Sequence, residues 1–192
     1  MQPSQPETLT GAQIIVRLLE RQGITQLSGI PGGAILPLYD ALAQSHQIEH
    51  ILARHEHGAG FIAHGMARAS GETAVCLATS GPGAANLLTA IADAKLDSIP
   101  LVAITGQVST ALIGTDAFQE IDTISLAKPI TKRCFLVRSA QELLRVVPLA
   151  FELANSGRPG PVLIDVPKDI QLQKTTVTTW PEPGCPHQSP DF

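Results

Sequence analysis

Short apolar runs alternate along this chain with longer amphipathic segments. The runs show little alternation with polar residues, which is typical of strands buried on both faces of a sheet. The longer segments repeat apolar residues at helical spacing, and the first has Thr10 as a cap with Gln13 three residues later. Strands are predicted at 26–30, 50–53, 74–79, 101–105, 132–137 and 161–166, and helices at 10–21, 34–44, 56–69, 84–95 and 140–155. This order predicts an α/β fold, a parallel sheet of about six strands with helices on both faces.

Two stretches interrupt the alternation. Residues 106–129 show neither a clear strand nor a long helix, and a connection of that length in a compact domain is more often functional than idle. From Thr175 onward the periodicity is lost and proline is frequent, which is typical of a linker or tail. We therefore predict an N-terminal tail over 1–9, one domain over 10–174 and a Pro-rich linker or tail over 175–192.

Composition narrows the class of protein. The 192 residues suffice for one domain, and the 13 Lys and Arg are scattered at a net charge of −4, so neither nucleic acid nor a membrane surface is an expected partner. No apolar run approaches the ~18 residues of a membrane span, and the first ten residues do not resemble a secretory signal. Cys76, Cys134 and Cys185 lack the spacing of a disulfide framework or a zinc site, which favours reduced thiols in a cytoplasm.

Three turns follow predicted strands and open predicted helices, at 29–34, 54–58 and 80–84. At the carboxyl edge of an open parallel sheet such turns line the crevice in which ligands bind. None of them matches a standard phosphate-binding motif, since Gly-Lys-Ser/Thr is absent and Asn86 stands where a dinucleotide motif needs Gly or Ala. From spacing alone, a cofactor site and simple reversals of the chain are equally open.

Glu56 is predicted in the first turn of a helix at this edge. A carboxylate there is often only a partner of the helix dipole. The helix behind it, 56–69, is rich in Gly and Ala, and because Gly costs about 1 kcal/mol relative to Ala within a helix, we expect very close approach of another helix or a ligand and a tight subunit interface beside the acid. His55, His57 and His64 lack an accompanying acid-and-cysteine pattern, which favours solvated or packing roles over metal binding.

A resemblance to a known family spans about Thr10 to Gln171. It is carried by five segments: RHEHGAGFIAHGMARASG, TSGPGAANLLTAIADA, DSIPLVAITGQV, IGTDAFQE and SGRPGPVLIDVPKD. Together they resemble the N-terminal pyrimidine-binding domain of thiamine-diphosphate enzymes, most specifically that of the acetolactate synthase (acetohydroxyacid synthase) catalytic subunits. The Glu-His-Gly-Ala-Gly and Ser-Gly-Pro-Gly motifs recur across the superfamily, whereas GTDAFQE is particular to acetolactate synthases.

The resemblance implies a catalytic role for Glu56. In the resembled family the acid at this position hydrogen-bonds N1′ of the aminopyrimidine of the cofactor. Proton sharing there favours the imino tautomer, whose 4′-nitrogen removes the proton from the thiazolium carbon. We therefore expect Glu56→Gln, in the complete enzyme, to lose most turnover while folding normally.

The resemblance also implies the other contacts with cofactors. Pro82, Gly83 and Asn86 would lie near the pyrimidine of thiamine diphosphate, and Gly32 would bring backbone close to the cofactor of a neighbouring active site. Arg158 matches an arginine that contacts flavin, which makes a partial FAD site, although its Arg-Pro-Gly-Pro setting equally fits an ordinary surface turn.

The substrate side is implied in the same way. Gly33 and Ala34 would bring backbone close to the reacting carbon of a neighbouring active site. Phe118 corresponds to an apolar wall, Gln119 to a polar contact that we count as catalytic, and Lys168 to a cation near the mouth of the channel.

The sequence also departs from the family pattern. Ser109 stands where many members have Pro, which puts local loop shape and inhibitor sensitivity in doubt. The Gly-Asp-Gly motif that holds the diphosphate through Mg²⁺, and the middle domain that supplies most of the flavin site, have no counterpart in this sequence. The implied partners are therefore the missing diphosphate-binding domain, a second copy of the chain packed through helix 56–69, and a regulatory small subunit as a further candidate.

The expected function is that of the N-terminal domain of a transferase that condenses two pyruvates, or pyruvate and 2-oxobutyrate, with loss of CO₂ in branched-chain amino-acid biosynthesis. The isolated chain is expected to be inactive. Two alternatives stay open: a non-catalytic truncated module for dimerisation or assembly, and another thiamine-diphosphate carboligase or decarboxylase. Among the latter, Glu56 argues against glyoxylate carboligase, which has an apolar residue there, and GTDAFQE argues against pyruvate oxidase.

Overall fold

The computed structural model describes residues 6–184 and contains two sheets. The main sheet has six strands, all parallel, in the spatial order β3-β2-β4-β5-β7-β6. The strands are β1 (Glu7–Thr10), β2 (Gln26–Gly29), β3 (Glu49–Leu52), β4 (Ala74–Ala78), β5 (Leu101–Gln107), β6 (Arg133–Leu136), β7 (Pro161–Pro167) and β8 (Lys174–Val177). The helices are α1 (Gly11–Arg21), α2 (Leu36–Leu42), α3 (Glu56–Ser70), α4 (Pro82–Leu96), α5 (Thr123–Ala127), α6 (Leu143–Asn155) and α7 (Lys168–Leu172).

Helices cover both faces of the six-stranded sheet, as the apolar pattern predicted. Alternate residues of each strand point to opposite faces, so Val75 and Leu77 of β4 pack with α1, α2 and α6 in one apolar cluster. Ala74, Cys76 and Ala78 of the same strand face α3, α4 and α5 in a second cluster. The second face is lined by smaller side chains, which lets its helices lie close to the sheet and to each other.

Close packing of α3 on α4 explains part of the small-residue composition of α3. A Cβ added to Gly60 would lie 2.5 Å from the Cβ of Ala90 in α4, a distance that side chains cannot occupy. The expected close approach of another helix is therefore found, within this chain, at Gly60. A Cβ on Gly58 or Gly65 would meet no atom within 4 Å, so these two glycines have no packing partner in the part of the chain that is described.

A two-stranded antiparallel sheet joins the two ends of the domain. β1 pairs with β8 from Glu7 opposite Val177 to Thr10 opposite Lys174, and Trp180 donates from Nε1 to Glu7 Oε1 at 3.1 Å. Residues 7–9 and 175–177, which the sequence placed in a tail and a linker, are thus strands. Each is only four residues long and is stabilised by a partner more than 160 positions away, a pairing that local periodicity does not reveal.

The long connection after β5 contains more regular structure than the sequence indicated. β5 continues to Gln107, a 3-10 turn covers Thr110–Leu112, and α5 is followed by a second 3-10 turn at Lys128–Ile130. Helix α6 continues through the buried Pro148. Within residues 6–184, no helix has both the length and the apolarity needed to cross a membrane.

The contrast between Gly60 and Gly65 makes a paired prediction about stability. Gly65→Ala should stabilise the chain by about 0.5–1 kcal/mol, since alanine favours the helix and the added methyl group meets open space. Gly60→Ala should destabilise it by about 1–3 kcal/mol, because the methyl group overlaps Ala90 and forces the helices apart. Urea denaturation of the two variants and the parent measures both effects. Equal stability of the two variants would contradict the packing of α3 on α4.

Candidate functional site

The three turns singled out in the sequence meet at the carboxyl edge of the sheet. β3, β2 and β4 are neighbours, so the segments that follow them lie side by side. The chain runs from β2 outward to β3 and then returns to β4 on the other side of β2. The connections after β2 and β4 therefore diverge, and a crevice at such a reversal of strand order is the usual ligand site of open α/β sheets.

Glu56 lies at this edge as the first residue of α3. The N-cap is His55, whose Nδ1 accepts a hydrogen bond from the backbone N–H of His57 at 3.1 Å, so capping is not the task of Glu56. Glu56 is half-buried, and its Oε2 accepts a hydrogen bond from Asn86 Nδ2 of α4 at 3.0 Å. Across residues 6–184 no Lys or Arg forms an ion pair with it. Its carboxylate is therefore oriented by a neutral amide and keeps Oε1 available.

Thr79 joins two of the turns and was not singled out from the sequence. It is buried just after β4, and its Oγ1 accepts from the N–H of Ala34 at 3.2 Å. A Cβ on Gly32 would lie 2.6 Å from Cβ of Thr79, and a Cβ on Gly83 would lie 2.8 Å from its Cγ2. Glycine is thus required at 32 and 83, because a side chain at either position would overlap Thr79. These two glycines therefore have a packing role in addition to reversing the chain. The available signal for Thr79 was its place at the start of the Thr-Ser-Gly-Pro-Gly segment.

Gly33 and Ala34 have different surroundings. Ala34 is buried, its carbonyl accepts from Gln171 Nε2 of α7 at 2.8 Å, and a Cβ on Gly106 would lie 2.5 Å from that carbonyl oxygen. Gly33 is exposed, and a side chain there would meet nothing within 4 Å. The turn after β2 is thus fixed at Ala34 between β5 and α7, and it is exposed to solvent at Gly33.

The long connection after β5 reaches the start of α4. Gly81 has a left-handed φ of +59°, and a Cβ there would lie 2.6 Å from the carbonyl oxygen of Gln119, which also has a φ of +59°. Phe118 is 87% exposed. The backbone of Gln119 therefore lies against Gly81, in the turn that leads into Pro82 and Gly83.

Lys168 and Arg158 are at opposite edges of the sheet. Lys168 begins α7 directly after the carboxyl end of β7, on the edge that holds Glu56. Arg158 precedes β7 at the amino edge, where its Nε donates to Ser98 Oγ at 2.7 Å and its Nη2 to Leu96 O at 2.8 Å. The structure therefore places Arg158 away from the candidate residues of the carboxyl edge.

Burial keeps two potential nucleophiles near the crevice in their neutral forms. It raises the pKa of Tyr39 above its usual range, with smaller contributions from Cys76 and Glu56, and the Tyr39 hydroxyl lies 3.3 Å from His50 Nε2. Burial also raises the pKa of Cys76 to about 12. Both groups are therefore neutral at pH 7.

One cluster in the described part of the chain has the spacing of metal ligands. Side-chain atoms of His64, Asp93 and Asp97 lie within 4.8 Å of one another, and His64 Nε2 is 3.3 Å from Asp93 Oδ2. The Arg68 guanidinium already contacts Asp97. The Arg68 guanidinium thus supplies positive charge at this cluster, whose members Asp93 and Asp97 the sequence did not associate with His64.

Comparisons with known proteins place this geometry in a family. Residues 9–126 match the thiamine pyrophosphate enzyme model for the N-terminal TPP binding domain. The chain is 60% identical over 189 residues to the acetolactate synthase isozyme 1 large subunit of Escherichia coli, covering 98% of this chain and 34% of that protein. It is 58% identical over 172 residues to the isozyme 2 large subunit of E. coli, covering 90% of this chain and 31% of that protein. It is 51% identical over 181 residues to acetolactate synthase 3, chloroplastic, of Brassica napus, covering 94% and 27%. The chain thus spans about a third or less of the length of these curated relatives.

The hydrogen bond between Thr79 and Ala34 gives a prediction for the site. Thr79→Val preserves the shape of the side chain but leaves the buried N–H of Ala34 without an acceptor, which should cost about 1–3 kcal/mol of unfolding free energy. Thr79→Ser keeps the acceptor and should cost less. Urea denaturation gives the free energies, and hydrogen exchange should show faster exchange of the Ala34 amide in Thr79→Val alone. Equal exchange in both variants would contradict this hydrogen bond.

Proposed function

This chain belongs to the thiamine pyrophosphate enzyme family, whose N-terminal TPP binding domain it contains, and from that membership we propose that it forms the pyrimidine half of the cofactor site in an acetolactate synthase. The proposed reaction of the whole enzyme is the condensation of two pyruvates, or of pyruvate and 2-oxobutyrate, with loss of CO₂, in branched-chain amino-acid biosynthesis. The relatives named above are all acetolactate synthases, which favours this member of the superfamily over other carboligases or decarboxylases.

The observation that carries the proposal is the carboxylate of Glu56, of which Oε2 is hydrogen-bonded to Asn86 and Oε1 is not. An ionised carboxylate is an acceptor that can share a proton with a ring nitrogen, and Asn86 holds one oxygen while leaving the other open. A Cβ on Gly83 would lie 3.4 Å from Oε1, so with glycine at this position no side chain of residue 83 covers that oxygen. These features fit the aminopyrimidine of thiamine diphosphate. When bound, that cofactor supplies the carbon nucleophile for the 2-oxo acid.

In this proposal the residues of the chain divide the remaining work. Glu56 holds the shared proton and thereby sets the tautomer of the ring. Gly33 and Ala34 allow backbone to approach the reacting carbon, Phe118 excludes water as an apolar wall, and Gln119 makes a polar contact with substrate. Lys168, at the same edge, supplies a positive charge toward an anionic 2-oxo acid.

The exposed apolar side chains support a partner over this edge. Leu36, Leu52, Leu112 and Phe118 are among the large apolar side chains exposed to solvent, and all four belong to segments at the carboxyl ends of strands. Exposed apolar groups around a crevice are typical of an interaction surface. We propose that the diphosphate-binding part of the enzyme covers them and supplies the ligands of Mg²⁺.

Arg158, away from this edge, belongs to the proposed partial FAD site.

Further partners and the cellular location are proposed on separate grounds. A Cβ added to Gly58 or Gly65 of α3 would meet no atom within 4 Å. This open space supports close approach by a second copy of the chain. The E. coli relatives are named as large subunits, which supports a regulatory small subunit. Cys76 and Cys134 are both free thiols, which supports a reducing compartment such as the cytoplasm.

The role of Glu56 is tested in a chimera in which this chain replaces the matched region of the E. coli isozyme 1 large subunit. Glu56→Gln keeps an oxygen acceptor for Asn86 but removes the ionisable carboxyl, so kcat for acetolactate formation should fall by about 10²–10⁴-fold with unchanged folding. Glu72→Gln, exposed at the other edge, is the matched control and should leave kcat unchanged. Full activity of Glu56→Gln would refute the assignment.

The isolated chain is predicted to be inactive. With thiamine diphosphate, Mg²⁺, flavin and pyruvate it should form no acetolactate, because it holds one half of the cofactor site. Size-exclusion chromatography of the chain shows whether it is a monomer or, as a dimerisation module would be, a dimer. Acetolactate formed by this polypeptide alone would contradict the division of the site between two parts.

A further inference from the structure

The side-chain amide of Gln107 joins the two ends of the loop formed by residues 108–121. Gln107 is the last residue of β5 and is buried. Its Oε1 accepts from the N–H of Val108, the first residue of the loop, at 2.8 Å. Its Nε2 donates to the carbonyl of Ile121, the last residue, at 3.0 Å. One amide therefore closes the base of the loop that carries Phe118 and Gln119.

Asp165 is a second acceptor for the side-chain NH₂ group of Gln107. This carboxyl group, on the adjacent strand β7, is fully buried, and its Oδ2 accepts from Gln107 Nε2 at 3.0 Å while its Oδ1 accepts from Thr105 Oγ1 at 2.7 Å. A backbone N–H only donates and a backbone carbonyl only accepts, so the amide oxygen of Gln107 faces Val108 and its NH₂ group faces Ile121 and Asp165. Burial raises the pKa of Asp165 to about 7, against the opposing effect of the hydrogen bonds from Thr105 and Gln107.

A second pair of hydrogen bonds holds the beginning of the same loop. The N–H and Oγ1 of Thr110 donate to Oδ1 and Oδ2 of Asp169 at 3.0 and 2.5 Å. Partial burial acts to raise the pKa of Asp169, but the hydrogen bonds from Thr110 and from the backbone N–H groups of Asp169 and Ile170 together outweigh it and lower the pKa. The loop is thus tied to β7 through Asp165 and to α7 beside Lys168.

The position of Gln119 depends on the hydrogen bonds that Gln107 makes to the two ends of the loop. Its carbonyl oxygen occupies the space that a Cβ on Gly81 would fill, so a small movement of the loop changes the wall of the crevice at the start of α4. We propose that Gln107 and Asp165 are positioning residues that hold Phe118 and Gln119 in place on the substrate side of the site. The claim about substrate rests on the proposed function, whereas the claim about the loop does not.

Loop order is measured by chymotrypsin cleavage after Phe118 in the 192-residue chain. Gln107→Met, which keeps length but removes all three hydrogen bonds, and Asp165→Asn, which removes one acceptor, should each raise the cleavage rate at Phe118 by about 10-fold or more, since cleavage requires local opening. Gln47→Met and Asp40→Asn are exposed controls and should cleave like the parent. Global unfolding is recognised by simultaneous cleavage after the buried Phe151.

Catalytic consequences are measured in the chimera. Gln107→Met should raise KM for pyruvate several-fold with a smaller change in kcat, a split that a loss of stability alone does not produce. Unchanged cleavage at Phe118 in Gln107→Met overturns the proposal, as does increased cleavage with unchanged KM in an active chimera. If Asp165→Asn does not fold, Gln107→Met decides alone. An inactive parent chimera with increased cleavage of the variant chain would refute the proposed function and uphold the positioning of the loop.

Discussion

The hydrogen bond from Asn86 to Glu56 is the interaction on which the candidate site depends. A neutral amide orients the carboxylate without cancelling its charge, and in residues 6–184 no cationic side chain pairs with Glu56. An Arg or Lys in place of Asn86 would fix the carboxylate in an ion pair and weaken it as a proton acceptor. The contact exists because α3 and α4 lie close together, and that closeness in turn requires a residue without a side chain at Gly60.

Close approach of backbone, more than any cluster of charges, shapes the rest of the crevice. Thr79 brings the turns after β2 and β4 together by filling the space left by Gly32 and Gly83. The carbonyl oxygen of Gln119 likewise fills the space left by the missing side chain of Gly81. Because each of these contacts excludes a Cβ, the walls of the crevice are set by packing before any ligand arrives. Such preorganisation is what a site needs if it is to hold a ring against one carboxylate oxygen.

Much of the fold was predictable from the sequence, because buried parallel strands and amphipathic helices leave strong periodic signals. The pairing of β1 with β8 was not, since two four-residue strands at opposite ends of the chain carry no shared local pattern. Within the site, the turn glycines and Glu56 were visible as motifs. The partnership of Glu56 with Asn86 spans 30 residues and two helices, and spacing alone could not reveal it.

Side-chain networks inside the sheet were the least predictable part. Gln107 and Asp165 lie in predominantly apolar strands. The sequence pattern does not indicate that two isolated polar residues on separate strands form a hydrogen bond that anchors a loop. Arg158 lies at the amino edge of the sheet because it precedes β7, and its guanidinium is hydrogen-bonded to Ser98 and Leu96. The order of strands and turns in the sequence indicated that the turns containing Glu56 and Gly83 share the carboxyl edge, whereas their contacts with Asn86 and Thr79 required the structure.

The central claim is that Glu56 meets the pyrimidine ring of thiamine diphosphate. The most direct test is a crystal structure of the chimeric enzyme with the cofactor bound, in which the distance from the Glu56 carboxylate to N1′ of the ring is measured. We expect about 2.6–3.2 Å from one carboxylate oxygen to N1′, with Asn86 still bonded to the other oxygen. A ring whose N1′ faces another group, or a Glu56 paired with a cation from elsewhere in the enzyme, would contradict the claim.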